Sequence, residues 1–265
     1  MILEWVNFGL EMNDTSLRRI DVVMITKNSL KPCLNECIAS IINNLPLNRL
    51  IVIDSFSTDG TIDAFNIFNN IDIKLIQMEC SRGAARELGI NNVSTDWFAF
   101  IDSDVILEKD WFKLIFSHTS EKIGAVEGNV KSKEGVVQRI RVNGRGYTNC
   151  TLIRTSLVKD IKIPSEMVVY EDQYIRRHIE RKGYMWLKVA SPCSFHLSRS
   201  NRLNDAFENG RMSGKYSLDP FWALPLSFFV VGIKWVFGGG ESPLIHYRLL
   251  SGYLSGLRER IFERP

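Results

Sequence analysis

Two aspartates one residue apart, Asp102 and Asp104, directly follow an apolar run at Trp97–Ile101. A run of this length between polar residues predicts a buried parallel strand. The carboxyl ends of such strands line the crevice in which open α/β sheets bind ligands. Two carboxylates at this spacing can share a divalent cation, and hard oxygen ligands suit Mn²⁺ or Mg²⁺. The alternative explanation is an ordinary turn rich in Asp and Ser.

Polar or charged residues also follow three earlier apolar runs. Thr26 and Asn28 come at the end of the first run, Asp54 at the end of the second, and Arg82 and Arg86 after the third. The carboxyl ends of parallel strands meet at one edge of a sheet, so these side chains are expected to gather there. A purely structural sheet has no reason to repeat this arrangement four times. The repetition therefore predicts a ligand-binding crevice.

The elements that would position these residues alternate between strand and helix. The spacing of apolar residues predicts strands at 20–26, 50–53, 71–77 and 97–101, and helices at 32–42, 59–68 and 82–91. Thr58 or Asp59 is the expected N-cap of the second helix. Two further strand-like runs occupy 186–190 and 193–195. This alternation predicts an α/β fold with a mainly parallel sheet flanked by helices.

The composition is that of a globular protein that can bury a sizeable core. The chain has 265 residues, of which 45% are hydrophobic and 24% charged, and its formal net charge is +3. This charge is too small to indicate a nucleic-acid partner. The five cysteines include no paired CxxC motif, and the N-terminus lacks a signal-peptide pattern. Both observations favour reduced thiols and a cytoplasmic location.

Four segments, in this order and spacing, resemble the family-two inverting glycosyltransferases, which have the Rossmann-like GT-A fold. Segment 53–61 resembles the nucleotide-binding turn of that family, with Phe56 in place of the usual glycine. Segment 82–87 resembles its Gly-x-x-x-Ala-Arg-Asn stretch. Segment 102–104 resembles its DxD motif, and Glu171-Asp172 its acceptor-side acidic pair.

The resemblance implies a nucleotide-diphosphate sugar donor, UDP- or GDP-linked. The binding residues that it implies are Thr26, Asn28, Asp54, Arg82, Arg86, Asp102 and Ser103. Asp54 would accept a hydrogen bond from a ring N–H of the base. Arg86 would contact the diphosphate or hold the acids in place.

The same resemblance implies a Mn²⁺ or Mg²⁺ ion held by Asp102, Asp104 and His196, and a catalytic base, Asp172, with Glu171 beside it. The cation would neutralise the departing diphosphate, and the base would take the proton of the attacking acceptor hydroxyl. Without the resemblance, the acidic pair is explained as favourable charge at a helix N-terminus. His196 is then an ordinary core or surface histidine.

The C-terminal part differs in composition from the rest. A polar stretch at 199–215 is interpreted as a mobile loop that closes over the diphosphate, with a solvated helix face as the alternative. Its basic residues are Arg199, Arg202, Arg211 and Lys215. The stretch 220–237 is mostly apolar and aromatic, and 244–262 predicts an amphipathic helix with several arginines.

These last two segments are typical of a peripheral membrane-surface element. The alternative is a helical hairpin that packs on the catalytic domain or on a partner in a homo-oligomer. Membrane contact would place the protein on the cytoplasmic face and favour a lipid-linked glycan or polyprenyl phosphate as the acceptor. If these segments pack on protein instead, an acceptor sugar without a lipid is the alternative acceptor.

The expected organisation is an N-terminal extension at 1–18, a GT-A catalytic domain at 19–200, and a loop-and-helix region at 201–265. Two other protein classes compete with this interpretation. Asp102 and Asp104 also fit the motif of haloacid-dehalogenase-like phosphatases, but that family carries the motif on its first strand, whereas three strand–helix units precede it here. A non-catalytic nucleotide-sugar-binding protein would bind the donor without turnover.

Overall fold

The computed structural model describes residues 19–132, 135, 145–197, 202–220, 226 and 243–262. The side chains of 202–204 and 243 are not described. The predicted extension at 1–18 lies outside the described residues, as does the apolar stretch 220–237 except for Pro220 and Leu226.

The described chain alternates strands and helices from residue 20 onward. The strands are β1 (Ile20–Thr26), β2 (Leu47–Asp54), β3 (Ile73–Gln77), β4 (Trp97–Ile101), β5 (Val105–Ile106), β6 (Ile123–Lys131), β7 (Cys150–Arg154) and β8 (Met185–His196). The helices are α1 (Leu34–Asn44), α2 (Thr61–Asn66), α3 (Arg82–Asn92), α4 (Trp111–Phe116), α5 (Glu171–Arg181), α6 (Arg202–Tyr216) and α7 (Pro243–Phe262).

These eight strands form one sheet in the order β3-β2-β1-β4-β7-β6-β8-β5. Strands β3, β2, β1 and β4 run parallel, as the strand–helix alternation predicts. β7 runs antiparallel to both β4 and β6, whereas β6 and β8 are parallel. The parallel half therefore carries the four predicted strand ends to one edge, next to the end of β8.

Helices on both faces hold these strands in place. On one face Met24 of β1 packs in the same cluster as Ile38 of α1. On the other face Val23 packs with Ile90 of α3 and with Phe100 of β4. Alternate residues of a parallel strand point to opposite faces, so both faces of β1 are apolar. Because both of its faces are packed, β1 and the position of its carboxyl end are held in place.

Two local details differ from the prediction. The N-cap of α2 is Gly60, at φ 91°, and not Thr58 or Asp59. Asp59 instead accepts hydrogen bonds from the backbone amides of Leu30 and Thr61 and from the Thr61 hydroxyl. The two runs predicted at 186–190 and 193–195 belong to one strand, β8.

The polar stretch 199–215 was expected to be a mobile loop, and this prediction is wrong for the part that is described. Residues 202–216 form α6. Arg211 pairs with Glu259 of α7 (Nη1–Oε2, 3.0 Å), and Lys215 pairs with Glu166 (Nζ–Oε1, 2.8 Å). These two cations bind carboxylates of the protein itself, so they do not form a phosphate-binding loop.

Glycines allow α6 to pack closely against α7. A Cβ added at Gly210 would collide with the carbonyl oxygen of Leu249, and one at Gly252 with the carbonyl oxygen of Phe207. Such glycines, spaced four apart on both helices, let the two backbones touch, and the helices run in the same direction. Within the described ranges, no helix has the length and apolar character that a membrane span requires.

Candidate functional site

Arg86 joins the two acidic motifs at the carboxyl edge of the parallel strands. Its Nη2 donates to Oδ1 of Asp102, just beyond β4, at 2.9 Å. Its Nε lies 3.9 Å from Oε1 of Glu171, the first residue of α5. Because Arg86 lies on α3, three elements meet at this guanidinium. The structure thus brings together the DxD motif and the acidic pair, which are far apart in the sequence.

The surroundings of Arg86 are almost dry. Its side chain is 4% exposed, and its guanidinium carbon lies 4.6 Å from the ring centroid of Phe100. Among the described residues, its Nη1 has no hydrogen-bond partner. A buried donor of this kind has spare capacity for an anion. Burial and the neighbouring Asp172 raise the pKa of Glu171 above its usual value.

Asp104 and His196 form a second part of the site. The antiparallel pairing of Val105 with His196 brings the Nε2 atom of His196 to 3.4 Å from Oδ2 of Asp104. The hydrogen bond to Asp104 raises the pKa of the imidazole, although burial acts in the opposite direction. A carboxylate and an imidazole at this separation can be neighbouring ligands of one cation.

Asp54 is the fully buried centre of the predicted nucleotide-binding turn. Its Oδ1 accepts hydrogen bonds from the hydroxyls of Thr26 (2.8 Å) and Ser57 (2.5 Å). Its Oδ2 accepts from the Ser57 amide (2.8 Å) and from Gln77 Nε2 (3.4 Å). Burial raises the pKa of Asp54, but the hydrogen bonds outweigh burial and the net pKa is lowered. The long bond from Gln77 is the weakest of the four.

Asn28 connects the first strand end to the same turn. Its backbone amide donates to the Ser57 hydroxyl (2.8 Å), and its Oδ1 accepts from the Thr58 amide (2.9 Å). Its φ of 49° lies in the left-handed region, which Asn tolerates better than most residues. Arg82 is exposed at the start of α3, and Ser103 is half-buried between the two aspartates. All the predicted donor-binding residues thus lie at or beside the carboxyl ends of the parallel strands.

The comparison with known families agrees with this arrangement. The model of the family described as "Glycosyl transferase family 2" matches residues 21–181, which contain the turn, the DxD motif and the acidic pair. The chain belongs to glycosyl transferase family 2. The expectation drawn from the four sequence segments is therefore confirmed.

Curated relatives from this family match over a limited length. The chain is 27% identical to glycosyltransferase GlyA of Streptococcus pneumoniae over 111 residues, which are 41% of this chain and 16% of the relative. It is 30% identical to the SPbeta prophage-derived glycosyltransferase SunS of Bacillus subtilis over 104 residues, 38% of this chain and 23% of the relative. The match thus spans less than a quarter of each relative.

Solved structures share the fold over most of the chain. A mannosyltransferase from Pyrobaculum calidifontis, in complex with GDP-Man and Mn²⁺, superposes with a TM-score of 0.64 at 15% identity, covering 95% of this chain and 90% of that one. TarS 1–349 of S. aureus, in complex with UDP-GlcNAc, gives 0.59 at 18% identity, covering 92% and 73%. At these identities the likeness establishes the fold, which is the predicted GT-A fold.

The site of this family-two chain fits a divalent cation with phosphate ligands. No cluster of three or more His, Cys, Asp or Glu side chains among the described residues is arranged to hold a metal ion. Asp104 and His196 offer one carboxylate and one imidazole. Nucleotide-binding sites commonly hold Mg²⁺ through one or two carboxylates, with phosphates and water completing the coordination. Oδ1 of Asp102 accepts a hydrogen bond from Arg86, which would leave the other carboxylate oxygen for such a site.

The family-two turn of this chain departs from the usual pattern at Phe56. Its φ is 50°, in the left-handed region where the family has glycine, and its side chain is 56% exposed. A residue with a Cβ is strained there, and a bulky one is unusual. Phe56 therefore adopts this backbone conformation at a cost in stability.

Phe56→Gly is expected to make the protein more stable than Phe56→Ala by about 1 kcal/mol, because only glycine adopts this φ without strain. Equilibrium denaturation of the two variants measures the difference. Ile67 provides the control pair, since it is exposed but has an ordinary φ of −69°. At Ile67 the glycine variant should be the less stable one. The same order at both positions would contradict the strain at Phe56.

One residue of the site, Arg145, was not identified from sequence patterns. Its Nη2 donates to Oδ1 of Asp172 at 3.0 Å, and the Asp172 side chain is only 9% exposed. Arg145 lies before β7 in a segment without apolar periodicity, so no local pattern could have revealed the contact. Gln173, which follows Asp172, was also missed. Its Oε1 accepts a hydrogen bond from the Gly146 amide at 2.9 Å.

Proposed function

We propose that this chain is a metal-dependent, inverting glycosyltransferase that moves a sugar from a UDP- or GDP-linked donor to a hydroxyl or phosphate acceptor. The observation that carries the proposal is the guanidinium of Arg86, which bridges Asp102 and Glu171 at the carboxyl edge of the sheet. This one side chain therefore connects Asp102, expected at the donor diphosphate, with Glu171, expected on the acceptor side. Family membership supports the same reaction class.

In this proposal the donor lies along the ends of β1, β2 and β4. The base contacts Asp54, and the diphosphate receives the unused Nη1 donor of Arg86. Asp102, Asp104 and His196 would hold a Mn²⁺ or Mg²⁺ ion. When bound, the cation neutralises the negative charge of the departing diphosphate.

Asp172 acts as the base of the transfer. The acceptor O–H proton passes to its carboxylate while the acceptor oxygen forms a bond to the anomeric carbon. The bond from that carbon to the diphosphate breaks, and its electron pair leaves with the nucleoside diphosphate. Attack opposite to the leaving group inverts the configuration in a single step.

The exposed face of α7 supports a lipid-linked acceptor, such as a polyprenyl phosphate or a glycan on one. Tyr247, Leu254 and Ile261 are all more than half exposed on this face, with Arg258 among them. Apolar side chains next to arginine fit an anionic lipid surface on the cytoplasmic side. Co-sedimentation with anionic but not zwitterionic vesicles is expected. Failure to bind either vesicle would favour a homo-oligomer contact and a soluble acceptor sugar.

The proposed reaction is tested by release of nucleoside diphosphate from a panel of UDP- and GDP-sugars in the presence of Mn²⁺. Release from one class of donor is expected. Donor binding without release would instead support a non-catalytic sugar-nucleotide-binding protein. Hydrolysis of p-nitrophenyl phosphate without donor turnover would support the phosphatase alternative, which family membership disfavours.

A further inference from the structure

Arg145 holds the carboxylate of Asp172 from one side. Its Nε and Nη2 lie 3.2 and 3.0 Å from Oδ1, and Nη2 also lies 3.3 Å from Oδ2. The Arg145 side chain is 26% exposed, so this ion pair is mostly removed from water. An arginine fork on a carboxylate sets its orientation as well as its charge.

The two oxygens of Asp172 are not equivalent. Oδ1 also accepts the backbone amide of Gln173 at 2.7 Å, so three N–H groups converge on it. Oδ2 receives a single long contact from the described residues, the 3.3 Å one from Arg145. A carboxylate has about four lone-pair sites. The spare capacity of this carboxylate is therefore on Oδ2.

We propose that Arg145 is the positioning residue of this site: it holds Oδ1 of Asp172 and leaves Oδ2 to take the acceptor proton. The inference rests on the proposed function, because it assigns a task to the proposed base. Beyond that function, Oδ2 of Asp172 is the reacting atom and Arg145 is the group that orients it.

Three side chains in turn orient the guanidinium of Arg145. Its central carbon lies 4.2 Å from the ring centroid of Tyr170 and 5.4 Å from that of Tyr147. Its Nη1 donates to Oδ1 of Asn209 on α6 at 3.3 Å. With two aromatic rings and one amide oxygen in contact with it, the guanidinium is held beside Asp172. The contact with Asn209 also links the C-terminal helices to the base.

A buried ion pair fixes the backbone that carries Arg145. Glu127 of β6 and Lys188 of β8 are paired at 3.2 Å, and both side chains are at most 10% exposed. Lys188 donates to the carbonyl oxygen of Arg145, and Glu127 accepts from the Tyr147 amide at 3.1 Å. A Cβ at Gly146 would press on Arg176, so only glycine lets the segment lie this close to α5. The backbone at Arg145 is therefore tied to β6 and β8.

The charges around Asp172 determine what loss of Arg145 would do. Arg86 on α3 and Lys188 on β8 act on it from a distance as cations, and Glu171 beside it acts as an anion. Tyr170 also faces it. Among the described residues, Arg145 is the cation in direct contact with it. Without it, a nearly buried carboxylate remains next to Glu171, and its proton affinity rises.

The test is the pH dependence of donor turnover, measured as release of nucleoside diphosphate, in wild type, Arg145→Met and Arg145→Lys. The acid limb of kcat/KM should move to higher pH by about one unit or more in Arg145→Met, and by less in Arg145→Lys, because an adjacent arginine lowers a carboxyl pKa by about 1–3 units. Turnover of Arg145→Met should thus fall about tenfold or more on the acid limb and recover in part as the pH rises. Nucleotide binding should not change.

Arg49→Met is the matched control, since it removes an arginine at the other edge of the sheet, where Arg49 pairs with the exposed Asp72. Its profile should match wild type. A uniform loss at every pH in Arg145→Met would indicate a structural role, and an unchanged profile would indicate no role; either result overturns the inference alone. Absence of turnover in wild type would overturn the proposed function, and the inference with it.

Discussion

Asp172→Asn is expected to lower kcat by about 10²–10⁴-fold, the usual contribution of a positioned general base. The amide is close in shape to the carboxylate and still offers an oxygen to the Arg145 fork, so the fold should be retained. It cannot accept the proton of the acceptor hydroxyl. Nucleotide binding should remain at the wild-type level, because Asp172 lies on α5 and the predicted donor residues lie on the strand ends and α3.

Glu180→Gln is the control for this experiment. Glu180 lies on the same helix, is about one quarter exposed, and pairs with Arg176 and Arg177. Its removal changes the charge of α5 without touching the acidic pair, and kcat should stay close to wild type. Wild-type turnover by Asp172→Asn would show that another group takes the proton.

Arg86→Met is expected to lower the free energy of unfolding by about 3 kcal/mol, because removal of one partner leaves the other charges of a buried ion pair uncompensated. Glu171, at 7% exposure, would bear most of this cost, and Asp102, at 30%, less. Nucleotide binding should be lost as well, since the Nη1 donor disappears. Chemical denaturation and calorimetry measure the two effects.

Two further measurements identify the source of this loss. The double variant Arg86→Met/Glu171→Gln should recover part of the stability, because it removes the buried charge together with its cation. The pKa of Glu171 lies above its usual value, so its favourable contribution, present at low pH, is lost as the pH rises through that pKa. Because Arg86 favours the ionised form of Glu171, the defect of Arg86→Met should grow as the pH rises above the usual pKa range of a glutamate. A defect independent of pH and of Glu171 would point to lost packing on Phe100.

The parallel half of the fold was predictable from local patterns. Apolar runs at 20–26 and 97–101 became β1 and β4 at the predicted bounds. The parallel arrangement then brings Asp54 and Asp102 to one edge without further information. The prediction of Glu171-Asp172 at a helix start was also confirmed.

Other features depend on contacts between distant residues. α6 contains Gly210 and Gly214, which indicate a loop when the segment is considered alone. In the structure they face α7, which carries Gly252 and Gly256, and these small residues let the two backbones touch. The pair of Arg145 and Asp172 likewise joins residues 27 positions apart, one of them in a segment without periodicity. Local spacing cannot reveal such pairs.

Calorimetric titration with UDP, GDP and dTDP, with and without Mn²⁺, on wild type and Asp104→Asn is the direct test of the proposed metal-dependent donor site. Asp63→Asn serves as the control, since Asp63 is an exposed acid on α2. Wild type and the control should bind one nucleotide in a Mn²⁺-dependent manner, and Asp104→Asn should not. Absence of binding by wild type to every nucleotide, with or without the metal, would contradict the proposed donor site.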